Sequence, residues 1–98
     1  MGNRKVVIQE NAVRRIAETA WHIESNFSAL SAKKFIDEIF IVLNKISAPE
    51  VTYHPCTYRP WQELGYKCVS FRKKYLIAYL EFESEIIICD FSHAALLK

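Results

Sequence analysis

Three cysteines, three histidines and one run of three consecutive basic residues carry most of the reactive chemistry in this chain. Cys56, Cys68 and Cys89 are odd in number and widely spaced, with no Cys-x-x-Cys pair, so the spacing signals neither a disulfide framework nor a zinc finger. All three read as reduced thiols, any buried one acting as a small hydrophobe. His54-Pro55-Cys56 could offer two ligands to a metal, but a structural zinc site takes four and no second pair lies nearby, so no metal and no cofactor is expected. Arg72-Lys73-Lys74 reads first as a solvated turn between strands and second as a patch for RNA or a protein partner. Tyr53, His54, Tyr58, Arg59 and Trp61 crowd into a stretch punctuated by Pro49, Pro55, Pro60 and Gly65. That stretch is too aromatic for a flexible linker and reads as an ordered loop in which Trp61 either packs or anchors a ligand.

The elements that must position these groups follow from hydrophobic spacing. Residues 4 to 8 form a β-branched run with basic flanks, a short strand, and Gln9-Glu10-Asn11 then offers capping chemistry for a helix. Ala12, Val13, Ile16, Ala17, Ala20, Trp21 and Ile23 recur at helical spacing up to about Asn26, with Trp21 expected in the helix core. A second helix, capped by Ser28 or Ser31, carries Phe35, Ile36, Ile39, Phe40, Leu43 and Ile46 on one face and ends at Pro49. Beyond the loop, Tyr66–Phe71, Tyr75–Phe82 and Glu85–Ser92 are β-rich runs with short spacers, which predicts an antiparallel meander. The order strand, two helices, loop, three strands gives an α+β domain with a helical hairpin on one face of a mainly antiparallel sheet. On the middle strand both alternating sets are apolar, and alternation favours Leu76, Ala78, Leu80 and Phe82 against the helices.

Size and composition narrow the function classes. The 98 residues make one domain, 1–98, and 51% hydrophobic content with only 2 Gly and 3 Pro excludes disordered and collagen-like chains. The longest apolar runs fall far short of the roughly 20 residues of a membrane span, so no membrane association is expected. The N-terminal segment is too short for a signal-peptide core, and Val6 stands where a myristoylation signal needs Ser or Thr, so the expected compartment is the cytoplasm. A formal charge of +2 is compatible with nucleic acid without demanding it.

Gly65-Tyr66-Lys67 at the start of the meander, Tyr75-Leu76-Ile77-Ala78-Tyr79 in its middle strand, and Ile86-Ile87-Ile88 running to Ser92-His93, set in this element order, resemble the RelE/ParE superfamily of type II toxin–antitoxin modules, the ParE-like, plasmid-stabilisation type included. The resemblance spans Val6 to His93 and implies a cognate antitoxin as partner. It also implies one of two activities. RelE-like members cut messenger RNA on the ribosome without a metal, using cations around the scissile phosphate and an acid–base pair, because negative charge grows on phosphate in the transition state. ParE-like members bind and poison DNA gyrase and need a surface instead.

The resemblance carries over unevenly. The middle-strand position where ribonuclease members place a phosphate-binding Arg is Leu76, which can neither pair with phosphate nor give a proton. The preceding strand, Cys68-Val69-Ser70, offers no cation either. His93 matches the terminal His that serves some nucleases as general acid, Lys67, Arg72 and Lys73 could complete a catalytic set, and Glu50 or Glu63 could act as base. The expectation is therefore a ParE-like binder, with Arg59, Trp61, Tyr75, Leu76 and Tyr79 as partner-binding residues. The alternatives are a ribosome-dependent endonuclease and a non-toxic family member that only binds a partner. The resemblance also puts Leu76 on the ligand-facing side of the sheet, against the alternation reading above.

Overall fold

The N-terminal β-branched run forms strand β1 (Lys5–Ile8), which leads through Gln9 into helix α1 (Glu10–Asn26) and, after a break at Phe27 and Ser28, into α2 (Ala29–Ile46). A short helix α3 (Arg59–Glu63) precedes β2 (Lys67–Phe71), β3 (Tyr75–Glu81) and β4 (Glu85–His93), and one 3-10 turn (Ala94–Leu96) follows. The computed structural model describes residues 3–48 and 53–96, so Pro49 and Glu50 lie outside the described residues. Among the described residues no helix is long and apolar enough to cross a membrane. Of the two candidate caps, Ser28 starts α2: its hydroxyl oxygen accepts a hydrogen bond from the Ser31 backbone N–H at 3.0 Å.

The meander β2-β3-β4 is antiparallel as expected, and β1 adds to it parallel to β4, giving the mixed order β1-β4-β3-β2. A parallel pair needs a long crossover, which the helices and the first two meander strands supply. Because β1 ends at the Ile8–Ile88 pair, the second half of β4 has no strand on that side among the described residues. The chain leaves β1 through a hydrogen bond from Gln9 N–H to Ile88 carbonyl (2.9 Å), and α1 packs on β4.

Helix α2 supplies most of the helical side of the core. Phe35, Ile39, Leu43 and Ile46 are buried at three- and four-residue spacing against Val69, Phe71, Ile77, Tyr79, Ile86, Ile88 and Phe91 of the sheet. Val13, Ala17, Trp21 and Phe40, expected on these helical faces, are exposed. Trp21 is 64% exposed and Phe40 59%. At 3.6 residues per turn Trp21 stands two and a half turns after the buried Ala12, on the opposite side of α1, and Phe40 is rotated roughly 140° from Phe35. Val13, next to Ala12, is likewise half-exposed.

The faces of β3 are the reverse of what alternation on that strand favoured. Tyr75, Ile77 and Tyr79 face the helices, whereas Leu76 and Ala78 pack in a separate cluster on the other side. With both sets apolar, β3 is degenerate, and its neighbours decide. Ile77 lies between Val69 and Phe91 and Tyr79 is opposite Ile88, while Leu76 lies between Ser70 and Ser92. The helices take the face on which all three strands are large and apolar.

The β2–β3 turn holds Arg72 and Lys73 at φ 54° and 62°, two consecutive left-handed residues, closed by a hydrogen bond from Lys74 N–H to Phe71 carbonyl. Arg72 has compensation: its Nε donates to Glu38 of α2 at 2.8 Å, and its guanidinium lies 5.3 Å from the centre of the Phe35 ring and 5.7 Å from that of Phe71. The Arg72 hydrogen bond holds the Glu38 carboxyl below its ordinary range. No such anchor holds Lys73 among the described residues. Since a left-handed non-glycine residue costs roughly 1–2 kcal/mol, Lys73→Gly is expected to stabilise the chain by about 1 kcal/mol, read as a raised urea midpoint at unchanged slope.

Candidate binding face of the sheet

The face of the sheet turned away from the helical hairpin is built from cross-strand rows. Ser70, Leu76 and Ser92 form one, Cys68, Ala78 and Asp90 the next, and Leu80 with Ile87 a third. Leu76, Leu80 and Ile87 are half-buried, whereas Ala78 is fully covered. The cover is the α3 segment: Cys56 and Trp61 bury themselves against Ala78, with Tyr58, Tyr66, Cys68 and Leu76 packed around them. Trp61 is 6% exposed and meets Tyr58 edge-on at 5.5 Å. The aromatic loop is thus ordered over its described part, from Tyr53 on, and it carries a helix that its Pro and aromatic content concealed.

Helix α3 is set by its ends. Pro60 occupies the first turn, where a missing N–H does no harm. At the other end Gly65 adopts φ +78°, its N–H donates to the Gln62 carbonyl (3.0 Å) and the Tyr66 N–H to the Trp61 carbonyl (3.1 Å), the paired bonds of a Schellman cap. Nothing lies within 4 Å of where a Cβ on Gly65 would stand. Gly65→Ala is therefore expected to cost about 1 kcal/mol through backbone conformation alone and to loosen α3 selectively, measurable as faster hydrogen exchange at Tyr66 than in the helical hairpin.

The cysteine reading is corrected here. Cys56 and Cys68 form a disulfide, with Cα atoms 4.9 Å apart, so Cys56 is not available as a metal ligand beside His54. Sequence spacing hid the pair because the two cysteines meet only once the chain at His54–Cys56 runs antiparallel along the outer edge of β2. Cys56 N–H donates to the Tyr66 carbonyl and Cys68 N–H to the His54 carbonyl, and Pro55 bridges to Lys67. Cys89 remains a thiol, buried at the irregularity in the β3–β4 register, and burial above all raises its pKa. Tyr66 lies beside it and is raised by burial and by that thiol.

The candidate nuclease residues do not converge on Leu76. Lys67 lies at the opposite end of β2 from Arg72, with roughly 13 Å of strand between Lys67 and Phe71 at about 3.3 Å per residue. Its ammonium is paired with Glu81. Arg72 is directed onto α2, and Lys73 stands in the exposed turn. His93 sits at the same end as that turn, opposite Tyr75 and on the helical side, where its ring meets Tyr75 edge-on at 5.3 Å. It borders a groove of about 300 Å³ with Thr19, His22, Asn26, Phe27 and Tyr75. His22 drew no attention in the sequence, because nothing local distinguishes a histidine on the exposed side of a helix. Glu63 is exposed and lies 4.0 Å from Arg59.

The expected partner-binding residues divide by face. Trp61 and Leu76 stand together under and around α3, and Arg59 projects from it, its side chain 85% exposed. Tyr75 and Tyr79 belong to the helical side. Tyr79 is fully buried, and burial first, then the nearby Glu81, pushes its hydroxyl up to about 12.

No family model matches the sequence, and no curated protein matches it. Among solved structures, a chain of the chromosomal ParDE TA system from P. aeruginosa superposes with a TM-score of 0.74 over 92% of this chain and 95% of that one, at 12% sequence identity. Identity that low speaks to architecture alone. Leu76 lies on the face away from the helices, where the resemblance puts it, and the strand, helical hairpin and meander follow one another as the resemblance implies. The chain shares its α+β fold with that chain of the ParDE TA system.

Proposed function

We propose that this chain is the toxin of a type II toxin–antitoxin module, ParE-like in mode: a cytoplasmic protein that binds and poisons a target such as DNA gyrase and is neutralised by a cognate antitoxin. The observation that carries this reading is the row Ser70, Leu76, Ser92. Cleavage of RNA needs cations where charge develops on phosphate, and here the position expected to hold one is an aliphatic side chain flanked by two hydroxyls. Such a surface suits a protein partner. Arg59 and Leu76 would contact that partner, while the buried Trp61 holds α3 in place and Tyr75 and Tyr79 support the strand from behind.

One observation favours the endonuclease alternative. His93 borders the groove, and the hydrogen bond that its Nδ1 accepts from the Ala95 N–H at 3.1 Å orients the ring while leaving Nε2 without a hydrogen-bond partner among the described residues, the nitrogen through which a proton could be exchanged there. The two readings separate on induced expression of the wild type and of His93→Ala in bacteria. Growth arrest with gyrase-dependent DNA breaks and intact messages, equal in the two chains, is the expected result. Arrest with new messenger RNA ends that vanish in His93→Ala would replace it with ribosome-dependent cleavage by His93 with Lys67, Arg72 and Lys73. Unimpaired growth would leave a non-toxic partner-binding protein.

A further inference from the structure

We propose that the Cys56–Cys68 disulfide is a redox latch: it clamps the α3 segment over the second face of the sheet and, when reduced, releases it to uncover Ala78, Leu76 and Trp61. This goes beyond the toxin reading and does not rest on it.

Three observations carry it. The bond joins the cover to what it covers, since Cys56 belongs to the α3 segment and Cys68 to β2. The remaining attachments of the α3 segment itself are two backbone hydrogen bonds at the β2 edge and one small cluster, Cys56 and Trp61 on Ala78 with Tyr58, Tyr66, Cys68 and Leu76 around them, while Tyr53 ahead of the segment stays anchored on the main core. And the buried cluster under α3 is separate from the one that the helices make on the opposite face, so opening one leaves the other intact. A disulfide closing a loop of this length shifts the ratio of closed to open segment on the order of a hundredfold. A reducing compartment would hold the cover loose and an oxidising one would lock it.

The chemistry balances with a dithiol reductant. Its thiolate attacks Sγ of Cys68, the less buried of the two residues, and Cys56 leaves as a thiolate. The reductant's second thiol then displaces Cys68 from the mixed disulfide. Two electrons and two protons reach the protein, giving two cysteine thiols, and the reductant leaves as its own disulfide.

The two tryptophans allow a direct test, because Trp21 is exposed and Trp61 buried. In the full-length Trp21→Phe chain, acrylamide quenching of Trp61 is measured before and after dithiothreitol, with bond state followed by thiol alkylation and mass, and far-ultraviolet circular dichroism recorded throughout. The expected result is a rise of at least fivefold in quenching on reduction, reversed on reoxidation, with unchanged dichroism. Cys56→Ser/Cys68→Ser should be open without reductant. Unchanged quenching after complete reduction would overturn the latch, as would failure of the pair to form under mild oxidation. Loss of dichroism together with the quenching change would also overturn it, since the bond would then be a staple for the whole fold.

Discussion

Phe35→Ala is expected to lower the unfolding free energy by about 4 kcal/mol, the upper range for truncating a buried aromatic. Phe35 is fully buried, and its ring meets Phe71 of β2, Tyr75 of β3 and Phe91 of β4 edge-on at 5.6, 5.7 and 6.0 Å. One side chain of α2 therefore touches all three strands of the meander. Removing it loses the transfer free energy, leaves a cavity that rigid strands cannot close, and takes away a ring on which the Arg72 guanidinium rests. The strained β2–β3 turn then loses part of its anchor, so the loss should exceed that of an isolated core phenylalanine. A small domain has roughly 5–15 kcal/mol in total, which leaves the variant close to unfolding at room temperature. Phe40→Ala, five residues on and 59% exposed, should change stability by no more than about 0.5 kcal/mol. Urea denaturation of the two variants side by side makes the comparison, and equal losses would mean that α2 presents a different face to the sheet.

The contrast between Phe35 and Phe40 also marks how far the sequence could be read. Helix α2 was legible in position and mostly in face, because apolar residues at three- and four-residue spacing leave few ways to bury them. Helix α1 was legible in extent but not in burial: its apolar residues spread around more than half the circumference, and only contact with the sheet selects Ala12 over Trp21. The meander could be placed within a residue or so from its turns, yet the orientation of β3 could not, since both of its faces are apolar and the deciding serines belong to its neighbours. Helix α3 and the disulfide were hidden for one shared reason. Both depend on the segment before β2 folding back along that strand's edge, a non-local event with no periodicity to announce it. Of the candidate cations, Arg72 and Lys67 looked available only because their acidic partners, Glu38 and Glu81, lie 34 and 14 residues away.

That second pairing sets the other large expectation. Glu81 stands between two cations: one carboxylate oxygen accepts from Arg4 Nη1 at 2.7 Å and the other from Lys67 Nζ. Arg4, its side chain only 8% exposed, also donates to the carbonyls of Ile46 (3.2 Å) and Ala48 (3.0 Å), closing the C-terminus of α2. Lys67 first, and then Arg4, holds the Glu81 carboxyl below its usual range. A depressed carboxylate contributes stability that is fully present above its unfolded pKa, about 4.3 for a glutamate, and is lost as pH falls from there through the lower folded value. Glu81→Gln is expected to destabilise the chain by about 2–3 kcal/mol at pH 7, because it leaves Arg4 buried without its counter-charge, and to flatten the acid limb of the stability curve. Arg4→Ala should lose about 3 kcal/mol, since it uncaps α2 as well. Lys67→Ala, at a more exposed cation, should lose about 1 kcal/mol and move the acid midpoint upward. The same variant bears on function. A lysine occupied by Glu81 has no free charge for a phosphate, so Lys67→Ala is expected to arrest growth as the wild type does while its acid midpoint shifts. Loss of arrest with the acid midpoint unmoved would instead give Lys67 to catalysis.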